Sequence, residues 1–120
     1  MSIIVSLTLA TICFTYNGVP ECDPVLLGKK NSTPVGEYTL TRRYVLSPGY
    51  GGDVLQFKED ADELYAIHRI WLGNPEQHRP ERMKSSNVKD HFISSGCINV
   101  ELETYEKLIQ CCTDESLIIR

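Results

Sequence analysis

The sequence predicts a mainly antiparallel β-sandwich with one clear helix and a lid-like insertion. Short runs rich in β-branched and aromatic residues alternate with turn residues between positions 3 and 68, which is typical of successive strands. Helical spacing of apolar residues is clear only between Glu101 and Cys112. Because 120 residues suffice for one modest hydrophobic core, we expect residues 1–120 to form a single domain.

The composition is that of an ordered globular chain, with 42% hydrophobic and 23% charged residues. A net charge of -4 argues against a nucleic-acid partner. The apolar stretch from Ile3 to Phe14 has no preceding Lys or Arg, and threonines interrupt it. It therefore predicts strands and neither an export signal nor a membrane span.

The strands follow in order along the first half of the chain. Residues 3–27 read as strands that turn at Asn17-Gly18, the strongest two-residue hairpin signal. Residues 36–46 predict a strand with a bulge or bend at Arg42-Arg43, where the alternation of apolar side chains slips. Residues 54–57 and 64–68 predict two further strands, and residues 116–119 a terminal one.

Residues 71–89, called the lid segment below, predict no strand. Asn74-Pro75 and Arg79-Pro80 interrupt any regular element, leaving room for a short helix after Arg79. The segment is locally basic although the chain is acidic, and it lies between His68 and Cys97. We expect it to cover a site and to present Arg79 and Arg82 to a carboxylate, which an arginine binds in two-pronged fashion.

Cys97 is the first candidate nucleophile. It follows Ser94-Ser95-Gly96, where glycine permits a sharp turn. Amide groups of the following helix should favour the thiolate, so we expect a pKa below the usual ~8.5. His68, at the end of a buried strand, is the candidate base, since a thiol and a distant imidazole are the minimum for thiol catalysis. The structural alternative is that both residues are buried core side chains.

Three blocks of sequence resemble one family. Ser94-Ser95-Gly96-Cys97-Ile98-Asn99 is similar to the Ser-His-Gly-Cys-hydrophobic-Asn signature of the L,D-transpeptidase (YkuD) catalytic domain. Ile67-His68 resembles the upstream catalytic His of that family, and residues 32–38 resemble its Thr-Pro-x-Gly-x-aromatic segment. The blocks occur in family order across most of the chain. The family architecture is also a β-sandwich.

The resemblance implies an acyl transferase that acts on peptidoglycan stem peptides. Cys97, deprotonated by His68, would form a thioester with a tetrapeptide stem and pass it to an amine or to water. Backbone N–H groups of Ser95, Gly96 and Cys97 are candidates for the oxyanion hole. Candidate substrate-binding residues are Arg69, Arg79, Arg82, Ser94 and Asn99, and Asn99 is expected to hold the turn or cap the helix. No metal or organic cofactor is expected, and the implied location is the periplasm or cell wall, as a monomer.

The sequence departs from the family pattern at two positions. Ser95 stands where many members have a second His, and Arg69 follows the candidate base where Gly or Ser is common. Arg69 could lower the pKa of His68, bind a substrate carboxylate or point to solvent. A toxin-like effector with the same chemistry, a catalytically idle wall-binding module and a thiol peptidase on ordinary peptides therefore stay open.

The other cysteines and histidines have simpler interpretations. Cys13 is expected in the core, and Cys22 could pair with Cys111 or Cys112 in an oxidising compartment. His78 and His91 are expected at the surface, with His91 a lesser rival for the role of base. No Cys-x-x-Cys occurs, so a structural zinc site is not expected.

Overall fold

A computed structural model describes residues 2–120, which contain ten strands and two helices. The strands are β1 (Ile3–Ser6), β2 (Thr11–Tyr16), β3 (Val19–Gly28), β4 (Gly36–Thr39), β5 (Thr41–Tyr44), β6 (Asp53–Glu59), β7 (Leu64–Arg69), β8 (Phe92–Ser94), β9 (Ile98–Val100) and β10 (Ser116–Ile119). The helices are α1 (Arg79–Met83) and α2 (Leu102–Cys111). Single 3-10 turns lie at residues 29–31, 75–77 and 88–91.

The strands form one continuous path in the order β4-β10-β1-β2-β3-β9-β7-β6-β5, and β8 also pairs with β3. The long strand β3 belongs to both halves of this path, because residues 19–24 pair with β2 and residues 25–26 pair with β9. Most pairs are antiparallel, whereas β1 with β10, β3 with β8 and β7 with β9 are parallel. The predicted mainly antiparallel β-sandwich with one clear helix is confirmed.

The core lies between the two halves and receives one face of α2. Its fully buried side chains include Ile12 and Leu27 from one half, Leu55 and Ile98 from the other, and Tyr105 from the helix. Each such side chain contributes roughly 1.5–3 kcal/mol by leaving water. Helix α2 packs on β2 and β7 and thereby holds β7, which carries His68, against the core.

The first hairpin is confirmed at the predicted position. Tyr16 pairs with Val19, and Asn17 and Gly18 both have positive φ, as a tight two-residue turn requires. The same register places Cys13 directly opposite Cys22, and the two form a disulfide. The alternative in which Cys22 pairs with a C-terminal cysteine does not occur, because Cys111 and Cys112 are bonded to each other. The expectation that Cys13 lies in the core is wrong, because it is only partly buried.

The predicted continuous strand over residues 36–46 is wrong in its middle. It breaks at Leu40, so that β4 pairs with β10 and β5 pairs with β6. Arg42 and Arg43 lie in regular register with Leu55 and Val54, so no bulge occurs there. The buried Leu40 side chain marks the point where the chain crosses from one half of the sandwich to the other.

The lid segment contains no strand, as predicted. It holds a 3-10 turn, helix α1 and irregular chain. His91, just after it, is buried, with ring nitrogens 2.9 Å from the Val25 carbonyl oxygen and 2.8 Å from that of Ser85. The expectation of a surface His91 is wrong, because these two contacts tie the lid segment to β3; His78 is exposed, as predicted.

One buried carboxylate connects four elements behind the site. Asp53 accepts from Arg42 Nε at 2.8 Å, from Arg69 Nη1 at 2.8 Å and from the Tyr105 hydroxyl at 3.1 Å. Burial by itself would raise the pKa of Asp53, but these three donors outweigh it and hold that pKa below its ordinary value. The cluster fixes β5, β6, β7 and α2 relative to one another. No helix within residues 2–120 is long and apolar enough to cross a membrane.

We predict that Asp53→Asn lowers the free energy of unfolding by about 3 kcal/mol, because two guanidinium groups lose their shared counter-ion in a buried setting. Glu59→Gln is the matched control, since it removes a carboxylate that pairs with Arg43 at the exposed surface. The control should change stability by less than ~1 kcal/mol. Urea denaturation measures both, and equal effects of the two substitutions would contradict the role of Asp53.

Candidate active site

The parallel pairing of β7 with β9 brings the two sequence motifs together. Ile67 pairs with Ile98 and His68 pairs with Asn99. Because side chains alternate along a strand, Cys97 lies on the same face as Asn99 and His68. Cys97 and His68 are therefore diagonal neighbours on adjacent strands, separated in sequence but not in space.

Both residues line the same two adjoining cavities, of about 360 and 250 Å³. Tyr50, Glu63 and Leu64 also contribute to both. The larger cavity is lined by Tyr50, Glu63, Leu64, His68, Trp71, Gln77, Arg79, Ser94, Ser95 and Cys97. Three of these residues belong to the lid segment, which thus forms one wall.

His68 is held as a neutral base. Its side chain is 2% exposed, and Nδ1 lies 2.6 Å from the carbonyl oxygen of Arg69. That contact assigns the proton to Nδ1 and leaves Nε2 as an acceptor. Burial, with a smaller contribution from the nearby Arg79 charge, lowers the pKa of His68 to about 4, although the bond to the Arg69 carbonyl acts in the opposite direction. The Tyr50 ring packs edge-on against the imidazole at 4.7 Å.

Cys97 is the one free cysteine in the described chain. Burial raises the pKa of its thiol above the ordinary value, and the negative charge of Glu63 adds to this. The Ala66 N–H and the Arg79 charge act in the opposite direction but do not reverse the shift. The expectation of a depressed pKa is wrong, because β9 separates Cys97 from α2 and the helix amides do not reach the sulfur.

A hydrogen-bonded turn presents the thiol. Ser94 Oγ donates to the Cys97 carbonyl at 2.6 Å and accepts from the Gly96 N–H at 3.2 Å. Gly96 has φ +134°, and a Cβ there would lie 2.7 Å from Tyr65 Cε1. Position 96 therefore accepts only glycine without rearrangement. The Gly96 amide is therefore already used within the turn.

Thr33 explains the upstream block of the resemblance. Its buried hydroxyl donates to the Gly96 carbonyl at 3.1 Å and accepts from the Gly28 N–H at 2.7 Å. It thereby ties the turn before Cys97 to the end of β3. The block acts on the thiol indirectly, by fixing the backbone that carries it.

Asn99 does not hold the turn or cap the helix, so that expectation is wrong. It lies fully buried in β9, and its Oδ1 accepts from the Trp71 N–H at 3.0 Å and from Arg79 Nη1 at 2.8 Å. Helix α2 begins after Glu101, which makes no side-chain cap. The role of Asn99 is to connect the strand that follows Cys97 to the lid segment.

The three candidate arginines are placed differently. Arg69 follows His68 and therefore points to the opposite face, where it bonds to Asp53 and lies 4.2 Å from the Tyr105 ring centre. Arg82 donates to the carbonyl oxygens of Gln77 and Asp90. Only Arg79 of the three lines the cavity with Cys97.

Five lining residues were not predicted as site residues from the sequence: Tyr50, Glu63, Leu64, Trp71 and Gln77. The one feature of the sequence that could have identified any of them is position relative to the strand that carries His68. Glu63 immediately precedes β7, and Trp71 closely follows it. Among residues 2–120, no group of three or more His, Cys, Asp or Glu side chains is placed to hold a metal ion.

The chain is similar in structure to several solved L,D-transpeptidases. L,D-transpeptidase 3 from Mycobacterium tuberculosis aligns with TM-score 0.69 and 15% identity over 99% of this chain and 60% of its own. An Enterococcus faecium L,D-transpeptidase variant aligns with TM-score 0.71 and 14% identity over 99% and 49%. The Stackebrandtia nassauensis enzyme aligns with TM-score 0.63 and 16% identity over 99% and 54%.

The chain thus spans about half to three-fifths of the length of these proteins. No protein-family model matches the sequence, and no curated protein does. The structural likeness shows that the chain has the fold of L,D-transpeptidases, which confirms the YkuD-like resemblance at the level of the fold.

Burial of neutral His68 predicts a specific pH dependence of stability. Its pKa is about 4 when folded and 6.5 when free, so the unfolded state takes up the proton first as pH falls. The stabilisation is complete above pH 6.5 and is lost progressively between pH 6.5 and 4, by about 3 kcal/mol in total. The difference in unfolding free energy between wild type and His68→Gln should therefore shrink by that amount from pH 7 to pH 4.

The contributions of other groups that titrate between pH 4 and pH 7 cancel in the difference in unfolding free energy between wild type and variant. Asp23, whose pKa burial raises to about 6, is present in both proteins. His78→Gln removes an exposed imidazole and is the matched control. A wild-type-minus-variant difference that stays constant from pH 7 to pH 4 would show that His68 is not buried in its neutral form.

Proposed function

We propose that the protein is an L,D-transpeptidase-like cysteine acyl transferase that acts on peptidoglycan stem peptides. The observation that carries this proposal is the shared cavity of Cys97, a free thiol, and His68, a buried imidazole with an available Nε2. A nucleophile with an adjacent base held by a third group is the arrangement that thiol acyl transfer needs. The third group here is the backbone carbonyl of Arg69.

The first step is attack of Cys97 Sγ on the donor carbonyl. Since burial lowers the pKa of His68 and raises that of Cys97, both groups are neutral near pH 7. In the resting site Sγ donates to the Leu64 carbonyl oxygen at 3.5 Å. In this proposal the thiol turns to Nε2 when the donor binds, and the proton moves from Sγ to Nε2 as the S–C bond forms, rather than beforehand. Backbone amides at Ser95 and Cys97 are the candidates to receive the oxyanion, because the Gly96 amide already bonds to Ser94.

The second step breaks the C–N bond of the donor. His68, now protonated, gives its proton to the departing D-alanine amine, and a thioester remains on Cys97. An amine of another stem then yields a 3–3 cross-link, a free D-amino acid yields exchange, and water yields a shortened stem. The proposal includes a location in the periplasm or cell wall, where peptidoglycan lies, and the two disulfides support an oxidising compartment.

A covalent β-lactam probe offers an independent approach. L,D-transpeptidase 3 from Mycobacterium tuberculosis has a structure in complex with a faropenem-derived adduct. If this chain shares that reactivity, faropenem should add mass to the wild-type protein and none to Cys97→Ala. Peptide mapping should place the added mass on Cys97.

We predict that Cys97→Ala abolishes acyl transfer while the fold is retained, because the covalent step needs the sulfur. His68→Ala should lower the rate on the order of 10²–10⁴-fold, the usual contribution of a positioned base. Mass spectrometry of muropeptides after incubation with tetrapeptide-containing peptidoglycan measures dimers, exchanged stems and shortened stems. His78→Ala is the matched control, since that imidazole is exposed.

Two outcomes would contradict the proposal. Turnover that survives Cys97→Ala would remove the thiol from the mechanism. Tight binding of peptidoglycan by wild type without any change in its muropeptides would instead identify a catalytically idle wall-binding module.

A further inference from the structure

Arg79 is a buried cation without a counter-ion. Its side chain is 8% exposed, and within residues 2–120 no carboxylate oxygen lies within 4.0 Å of its guanidinium nitrogens. Its two hydrogen bonds go to neutral groups, from Nε to Gln77 Oε1 and from Nη1 to Asn99 Oδ1, both at 2.8 Å. A buried charge is normally paired, so the missing partner is informative.

The surroundings fix the guanidinium in one place. The Asn99 amide is oriented unambiguously, because its oxygen receives two donors, Trp71 N–H and Arg79 Nη1. Its Nδ2 is left buried without a partner, a destabilising arrangement that a merely structural Asn would avoid. The Trp71 ring lies 5.0 Å from the guanidinium carbon and adds a cation–π contact.

Arg79 lines the cavity of Cys97, and it also lines a second cavity, of about 210 Å³, that is formed by lid-segment residues alone. Nη2 makes no hydrogen bond within the described chain, and it is not among the polar atoms sealed from solvent. Glu63 lines the same cavity and brings the opposite charge. An anionic group that enters is therefore attracted towards Arg79 and repelled from Glu63. A ligand with one anionic end should bind with that end towards Arg79.

We propose that Arg79 is the subsite for a carboxylate of the acyl donor and orients that donor across Cys97. A guanidinium presents paired N–H groups that match a carboxylate, and the substrate then supplies the missing counter-ion. The identity of the carboxylate rests on the proposed function. In a tetrapeptide stem, the carboxylate of the departing D-alanine is the one adjacent to the scissile bond, and it is the one we assign to Arg79.

Alkylation of Cys97 tests the subsite without any transpeptidase activity. Iodoacetate and iodoacetamide both react with Sγ by forming an S–C bond, breaking the C–I bond and releasing iodide and a proton. They differ only in the carboxylate of iodoacetate. The ratio of the two rates therefore reports attraction of an anion to the site and normalises for changes in thiol reactivity.

We predict that Arg79→Gln lowers the iodoacetate-to-iodoacetamide rate ratio at least about tenfold relative to wild type, as loss of a charge-assisted hydrogen bond would. Arg79→Lys, which keeps the charge without the planar fork, should give an intermediate ratio. Arg82→Gln is the matched control: it removes the same charge from the same helix, and Arg82 does not line the cavity of Cys97. Equal ratios for Arg79→Gln and Arg82→Gln would overturn the proposal.

A wild-type measurement covers the case in which the Arg79 variants do not fold. Sodium acetate should slow alkylation of wild type by iodoacetamide in a saturable manner, whereas sodium chloride at equal ionic strength should not. Identical effects of the two salts would overturn the proposal.

Kinetic measurements with stem-peptide donors then test the anion subsite and the proposed function separately. Amidation of the terminal D-alanine carboxylate should raise KM in wild type and have little effect in Arg79→Gln, whereas amidation of the diaminopimelate carboxylate should affect both proteins alike. The reverse pattern would overturn the assignment to D-alanine. If wild type turns over no donor but the alkylation ratio falls as predicted, the anion subsite stands and the proposed function fails. Turnover of the donor with an unchanged alkylation ratio would overturn the subsite and leave the proposed function standing.

Discussion

The site depends on the parallel pairing of β7 with β9. This ladder sets His68 opposite Asn99 and leaves Cys97 on the same face, two residues before Asn99. A slip of one residue would turn one of the motifs to the opposite face of the sheet. The register is held because the alternate residues, Ile67 and Ile98, are both fully buried in the core. Core packing on one face therefore positions the chemistry on the other.

Burial leaves His68 and Cys97 uncharged in the resting site, whereas Arg79 in the cavity wall stays charged. Removal from water disfavours both the imidazolium and the thiolate, so the pKa of His68 falls and that of Cys97 rises. Arg79 cannot neutralise in the same way, because a guanidinium keeps its proton in proteins. The lid segment thus brings one fixed cation beside an uncharged thiol and an uncharged imidazole. In our account that cation selects and orients an anionic donor, while the neutral pair performs the proton transfer.

Local patterns were enough to predict most of the framework. The Asn17-Gly18 hairpin, the terminal strand and α2 each follow from turn chemistry or from periodicity within about a dozen residues. The break at Leu40 could not be predicted in this way, because the partner strands that impose it, β6 and β10, are specified by other parts of the sequence. The same holds for the Cys13–Cys22 disulfide, which depends on the cross-strand register.

The same distinction between local patterns and distant partners applies to the prediction of the site. Cys97 and His68 were identified by residue type and by resemblance, and the structure places them in one cavity. The roles of Arg69, Asn99 and His91 depend on partners that no local spacing specifies. The expectations for Asn99 and His91 were wrong, and the alternatives left open for Arg69 did not include its bond to Asp53. For Arg69 one local rule was available: the residue next to His68 in a strand must face away from it.

The pH dependence of Cys97 alkylation tests the neutral pair most directly. Because Cys97 is the one free cysteine in the described chain, iodoacetamide reports on this thiol in the folded protein. With the thiol pKa raised by burial, we predict a rate that continues to increase with pH beyond ~9, without a plateau in the neutral range. A rate that reaches its plateau below pH ~7 would show a preformed thiolate beside a charged His68, and would contradict the neutral site described above.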